Sequence, residues 1–171
     1  MKNTTTNNQT LGINIKLGEG YQNEFILDGQ HSYHNLIPGN QIYPSTTDLN
    51  PEEHKFELYY PGVTPKQIKN AIPTGFNLIT VMDPKDNTDL YAYSDLIKQI
   101  LAFIGLAHHL KLINDQEAQT YLDKLSQIER DWFLLEPEDN DTGLDIDLDT
   151  IEIIKLKGIK TEDVYNITFN Y

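Results

Sequence analysis

Carboxylates are the residues whose spacing first suggests chemistry. From Asp131 to Thr150 the chain carries eight acidic side chains and no cation. Within that stretch Leu144, Ile146 and Leu148 alternate with Asp145, Asp147 and Asp149, the period of a strand with one apolar and one carboxylate face. Alternate strand residues project about 6.6–6.8 Å apart, near the phosphate spacing of a nucleic-acid strand. Such a row suits three roles. It solvates an exposed edge and guards it against pairing with other chains. It offers a cationic protein a docking surface, speeding encounter and imposing orientation. It also supplies oxygen ligands to calcium, but here the register is poor. With Gly143 at the turn position of an EF-hand-type loop, Glu138, Asn140 and Thr142 precede it and Asp149 replaces the closing glutamate. Asp145 then falls where an apolar residue belongs, and Pro137 breaks the entering helix.

The histidines give a second candidate. Asp28, His31 and His34 lie together in a Gly/Pro-bounded stretch, with His54 further along, and could hold a divalent metal for hydrolysis. No His-Glu-x-x-His pattern accompanies them. His108 and His109 are helical neighbours about 100° apart, so they serve the C-terminal dipole of a helix better than a shared ion. None of the four serines lies in Gly-x-Ser-x-Gly, and Gly18-Glu19-Gly20 lacks the third glycine and lysine of a phosphate loop. The ten tyrosines read as strand-face packing with hydroxyls at the rim. No cofactor motif is present, and with no cysteine there is no disulfide, thiolate zinc site or thiol nucleophile.

The whole chain sharpens the first candidate. Its 171 residues carry 26 acidic and 13 basic groups, a net charge of −13, with Arg130 the single arginine. That balance opposes nucleic-acid binding and anionic membrane surfaces, both of which need cations. It is unevenly distributed: residues 114–150 hold 2 basic and 12 acidic groups, a net −10, whereas 61–113 is +1 and 151–171 is neutral. A uniform negative surface aids solubility, but a concentrated one is a directional field.

The elements that must position these groups follow from hydrophobic period. Residues 1–10 read as a disordered polar tail, and 11–171 as one domain able to bury about 70% of its unfolded surface. Leu11–Leu17 alternates as a strand, Gly18-Glu19-Gly20 turns, and Tyr21–Leu27 returns as a hairpin. Phe56–Tyr60 is a short strand ended by Pro61-Gly62. Thr64 and Pro65 start a brief helix that stops before Pro73, and Phe76–Met82 is apolar enough for a central strand. Ser94 caps a buried helix to about Ile113, in which Gly105 permits close packing. One residue then links it to a second helix, capped by Asn114 with Glu117 three residues on. That helix carries the stripe Ala118, Tyr121, Leu122, Leu125, Ile128 and Trp132. Ile151–Lys157 is a β-branched run that reads as a strand, with a short helix capped by Asp149 and Glu152 as its alternative, and Val164–Tyr171 closes the chain as a strand.

The reading is therefore an α+β domain: N-terminal antiparallel strands, a central helical hairpin, then a C-terminal acidic strand with further strands. No apolar h-region or 20-residue apolar run exists, which predicts a soluble cytoplasmic protein without a membrane span. The expected function is non-enzymatic. Glu136, Glu138, Asp139, Asp141, Asp145, Asp147 and Asp149 dock on, and inhibit, a basic toxin or nucleic-acid-binding enzyme. An immunity protein or phage-type inhibitor acts this way. The alternatives are a small metal-dependent hydrolase built on Asp28, His31 and His34, and a phage structural or assembly protein whose acidic surface only solubilises it.

Overall fold

The computed structural model describes residues 9–19, 36–37, 43–44, 55–81, 87–133, 146–157 and 162–169. Strands β1 (Leu11–Glu19), β2 (Tyr43–Pro44) and β3 (Lys55–Val63) come first. Helices α1 (Pro65–Ile79), α2 (Asn87–His109) and α3 (Asp115–Phe133) follow, then a 3-10 turn (Leu148–Thr150) and strands β4 (Ile151–Leu156) and β5 (Val164–Phe169). These make an α+β domain with one sheet in the order β2-β3-β1-β5-β4. β1 runs antiparallel to β3 but parallel to β5, and β4 and β5 pair antiparallel. Parallel neighbours need a crossover in the chain, which the three helices provide.

Period-2 alternation decides which face of the sheet is buried. Ile13 lies between Tyr60 and Tyr165, and Ile15 lies between Leu58 and Ile167. Ile13, Ile15, Tyr60 and Ile167 are wholly buried, whereas Asn14, Lys16, Asn166 and Thr168 on the opposite face are half-exposed. Helix α2 covers the buried face and also packs against α1 and α3. From Leu96 to Ala107 every residue of α2 except Lys98 is buried, as expected of a helix apolar on all sides. Gly105 allows this approach: a Cβ there would collide with the Ile151 side chain of β4.

Local capping chemistry is as the sequence indicates at two helices. Thr64 Oγ1 accepts the Gln67 N–H at 3.2 Å while the Gln67 side chain accepts the Thr64 N–H at 2.9 Å, with Pro65 opening α1. Asn114 and Glu117 form the same reciprocal pair at 2.8 and 3.1 Å. Other expectations are overturned. Helix α1 continues through Pro73 to Ile79, so Phe76–Ile79 is helical and no central strand forms there. Ile68, Ile72, Phe76 and Ile79 make one buried stripe spanning the proline, and Pro73 itself faces outward. Burial of that stripe outweighs the hydrogen bond that the proline removes.

Helix α2 begins at Asn87, with Ser94 inside it, and ends at His109. A five-residue turn, Leu110–Asn114, follows in place of a single linking residue. Lys111 adopts φ 61°, its N–H donates to the His108 carbonyl, and the Leu112 N–H donates to the Ala107 carbonyl at 2.8 Å. Those paired bonds define a Schellman ending, usually built on glycine. Gly18 and Glu19 belong to β1, opposite Phe56 and Lys55, and are not a turn. The expected return strand Tyr21–Leu27 lies outside the described residues. β3 runs on through Pro61-Gly62 to Val63, its register against β1 shifting beside Leu11, with Gly62 at φ 64°.

Candidate acidic docking surface

Helix α3 splits its residues by helical period. Ala118, Leu122 and Leu125 are buried, and Tyr121 and Ile128 half-buried, against α1 and α2. Asp115, Gln119, Asp123, Gln127 and Asp131 recur every four residues on the opposite side and are all exposed. Gln119 Nε2 donates to Asp123 Oδ1 at 2.9 Å and Gln127 Nε2 donates to Asp131 Oδ1 at 3.0 Å, so the glutamines hold the carboxylates in a row. Asp115 Oδ1 also lies 2.6 Å from His108 Nε2 at the end of α2. One cation of this region, the exposed Lys124, lies over an aromatic ring: its Nζ sits 4.6 Å from the centre of the Phe76 ring, which itself stacks on Tyr121. Glu129 is the exception among the carboxylates, buried at 1% exposure, and does not belong to the outer field.

The 3-10 turn carries the remaining described carboxylates of the acidic segment. Asp147 and Asp149 are exposed, but the alternating strand expected over Leu144–Asp149 does not form across them. The Asp147 side chain accepts the Asp149 N–H at 3.2 Å, and Thr150 Oγ1 donates to the Asp147 carbonyl at 2.6 Å. Such local bonds compete with the sheet ladder. Leu148 meanwhile packs towards Gly105 and does not hold a strand position. The regular carboxylate ladder with phosphate-like spacing is thus replaced, at these two residues, by a turn. Glu136, Glu138, Asp139, Asp141 and Asp145 lie outside the described residues, as does the calcium-type loop around Gly143.

The catalytic alternative is not placed by the structure, because Asp28, His31, His34 and His54 also lie outside the described residues. His108 turns to Asp115, whereas the His109 ring meets Tyr165 edge-on at 6.1 Å, so the two rings serve different neighbours. Among the described residues no group of three or more His, Cys, Asp or Glu is arranged to hold a metal ion. Tyr60 departs from the rim position expected of tyrosines. Its hydroxyl is buried and donates to Gln99 Oε1 at 2.7 Å, with the ring edge-on to Phe103. Among the described residues no helix is long and apolar enough to cross a membrane.

Comparison with known protein families, curated proteins and solved structures finds no match. The functional reading therefore rests on the chain's own charges and geometry. Counting charges along the chain includes Asp115, Asp123 and Asp131 but does not show that they share one exposed face of α3. The signal was there, in aspartates eight residues apart separated by glutamines at helical spacing.

Proposed function

We propose that this is a non-enzymatic binding protein that docks an acidic surface on a basic protein partner and inhibits it. The partner is a toxin or nucleic-acid-binding enzyme with a cationic active site, met in the cytoplasm. One observation carries the reading: a net charge of −10 is confined to residues 114–150 of a chain that is otherwise nearly neutral. The exposed row of Asp115, Asp123 and Asp131, with Asp147 and Asp149 on the 3-10 turn, supports it. Concentrated charge of one sign accelerates encounter with the opposite sign and fixes orientation, and it occludes a groove built for phosphates.

The test is affinity capture from the native host followed by stopped-flow association with the captured protein. A basic partner is expected, with an on-rate falling at least about tenfold as salt rises past the point where the Debye length is about 10 Å. Asp145/Asp147/Asp149→Asn and Asp115/Asp123/Asp131→Asn are each expected to slow association several-fold, leaving dissociation less changed. A neutral or acidic partner, or association indifferent to salt and to both triple variants, rules the reading out.

A further inference from the structure

At the end of β4 remote from the 3-10 turn, a cleft of about 290 Å³ opens between the start of β1, the α2–α3 turn and the β4–β5 end of the sheet. Ile151 and Lys155 bracket four strand steps, roughly 13 Å, so the cleft is separate from Asp147 and Asp149. Its walls include Leu11, Leu110, Leu112 and Tyr165, with Gln9 and Thr10 adding polar groups, and at one side Lys155 Nζ lies 3.3 Å from Asp163 Oδ2. Polar and apolar groups share the lining about equally, a mixture suited to a small amphiphilic ligand, and the volume is at the small end of the range for small-molecule sites.

The walls are fixed by the fold. The Schellman turn sets Leu110 and Leu112. The Gly12 N–H donates to the Asp163 carbonyl at 2.8 Å, which ties β5 to β1 at the cleft. Beside it, Glu162 accepts from Thr10 Oγ1 and from the Gly62 N–H, both at 2.8 Å, so one carboxylate ties the entrance of β1 to the end of β3.

The charges choose the ligand. Lys155 and Asp163 nearly cancel, which disfavours a simple anion such as phosphate. At the start of α1 Pro65 lacks an N–H, and the Gln67 and Ile68 N–H groups are bonded to Thr64, so that terminus offers few free donors to an anion. A purely apolar ligand would cover the ion pair without matching it. A lysine ammonium has three donors and a carboxylate about four acceptor positions, so each can bond a further opposite charge. We infer that the cleft binds a single apolar α-amino acid, its carboxylate on Lys155, its ammonium on Asp163 and its side chain against Leu110 and Leu112. In that arrangement the four charges alternate in sign around a ring. A peptide is excluded by the same logic, because its two terminal charges are far apart.

The experiment is an NMR titration of the full chain with L-leucine, 4-methylpentanoate and 3-methylbutylamine as probes. Saturable amide shifts confined to Leu110, Leu112, Lys155 and Tyr165 are expected with L-leucine at millimolar concentration. Each single-charge analogue should bind about tenfold or more weakly, equivalent to about 1.4 kcal/mol. Lys155→Met should weaken L-leucine similarly, and Leu112→Trp, which fills the hollow, should abolish the shifts while the remaining spectrum is unchanged. Absence of saturable shifts with L-leucine overturns the proposal. So does equal binding of either analogue, or an undiminished affinity in Lys155→Met.

Discussion

Helices α2 and α3 are packed neighbours of similar length, 23 and 19 residues, joined by a five-residue turn, yet one is buried nearly all round and the other on a single stripe. Between Leu96 and Ala107, α2 meets the sheet, α1 and α3 at once, and even its Gln99 is buried and hydrogen-bonded. Helix α3 buries one stripe and exposes mainly aspartate and glutamine, with Glu117, Thr120 and Lys124, on the rest of its circumference. The contrast separates what makes the domain fold from what it presents outward. Apolar side chains on α2 each remove area from water worth about 1.5–3 kcal/mol. Exposed carboxylates on α3 contribute little to stability and can be chosen for their field instead.

The largest expected effect tests that division directly. Phe103→Ala removes a fully buried ring of α2 that lies against Tyr60, and should destabilise by about 3–5 kcal/mol. Asp123→Asn with Asp131→Asn on α3 should change stability by under about 0.5 kcal/mol. Urea unfolding of the two variants settles the matter. Comparable losses would mean that the acidic row is part of the structural core and cannot be varied independently of the fold.

A smaller effect lies where α2 meets the sheet. Burial holds the Tyr60 phenol well above its ordinary value of 10.0, although a hydrogen bond with the Leu36 backbone opposes this. The unfolded chain therefore gives up this proton first. Stability from the neutral phenol is complete below pH 10 and declines as pH rises from there towards the folded value. Tyr60→Phe should cost about 1–3 kcal/mol at neutral pH, because Gln99 Oε1 loses its buried donor. It should also flatten the fall in stability above pH 10, measured by urea midpoints at several pH values. Lys155 is likewise raised above its ordinary 10.5, mainly by its hydrogen bond with Asp163, so that pair weakens only above that value. Exposure keeps its contribution small.

What was legible in the sequence is what short-range physics decides. The Thr64 and Asn114 caps, the α3 stripe and the alternation of β1 and β5 all depend on residues within one or two turns, whereas the small residue at Gly105 signals a close approach without saying that Ile151 makes it. Pro73 is the instructive failure. Its local rule says stop, but the apolar stripe of Ile68, Ile72, Phe76 and Ile79 is satisfied only if the helix continues against α2. The parallel pairing of β1 with β5 was equally hidden, because it joins strands about 150 residues apart and no turn sequence records it. At the candidate site, local bonding at Asp147 turned an apparent carboxylate strand into a 3-10 turn. Helical projection, applied to Asp115, Asp123 and Asp131, recovers a surface that strand alternation could not suggest.

The smallest effect lies in the turn that separates the two helices. Lys111 holds φ 61°, a left-handed conformation that costs an L-residue about 1–2 kcal/mol and that glycine adopts freely. Against this, glycine at 111 would enlarge the conformational freedom of the unfolded chain, which takes back part of the gain. Lys111→Gly should therefore stabilise by about 0.5–1 kcal/mol, read as a higher urea midpoint with an unchanged slope. The Leu112–Ala107 bond and the Asn114–Glu117 cap flank this residue, so both helices should keep their lengths and α3 its outward carboxylates. A loss of stability would show that the lysine side chain itself holds α2 and α3 together. The turn would then be part of the core that α2 organises and no longer a neutral joint between the two.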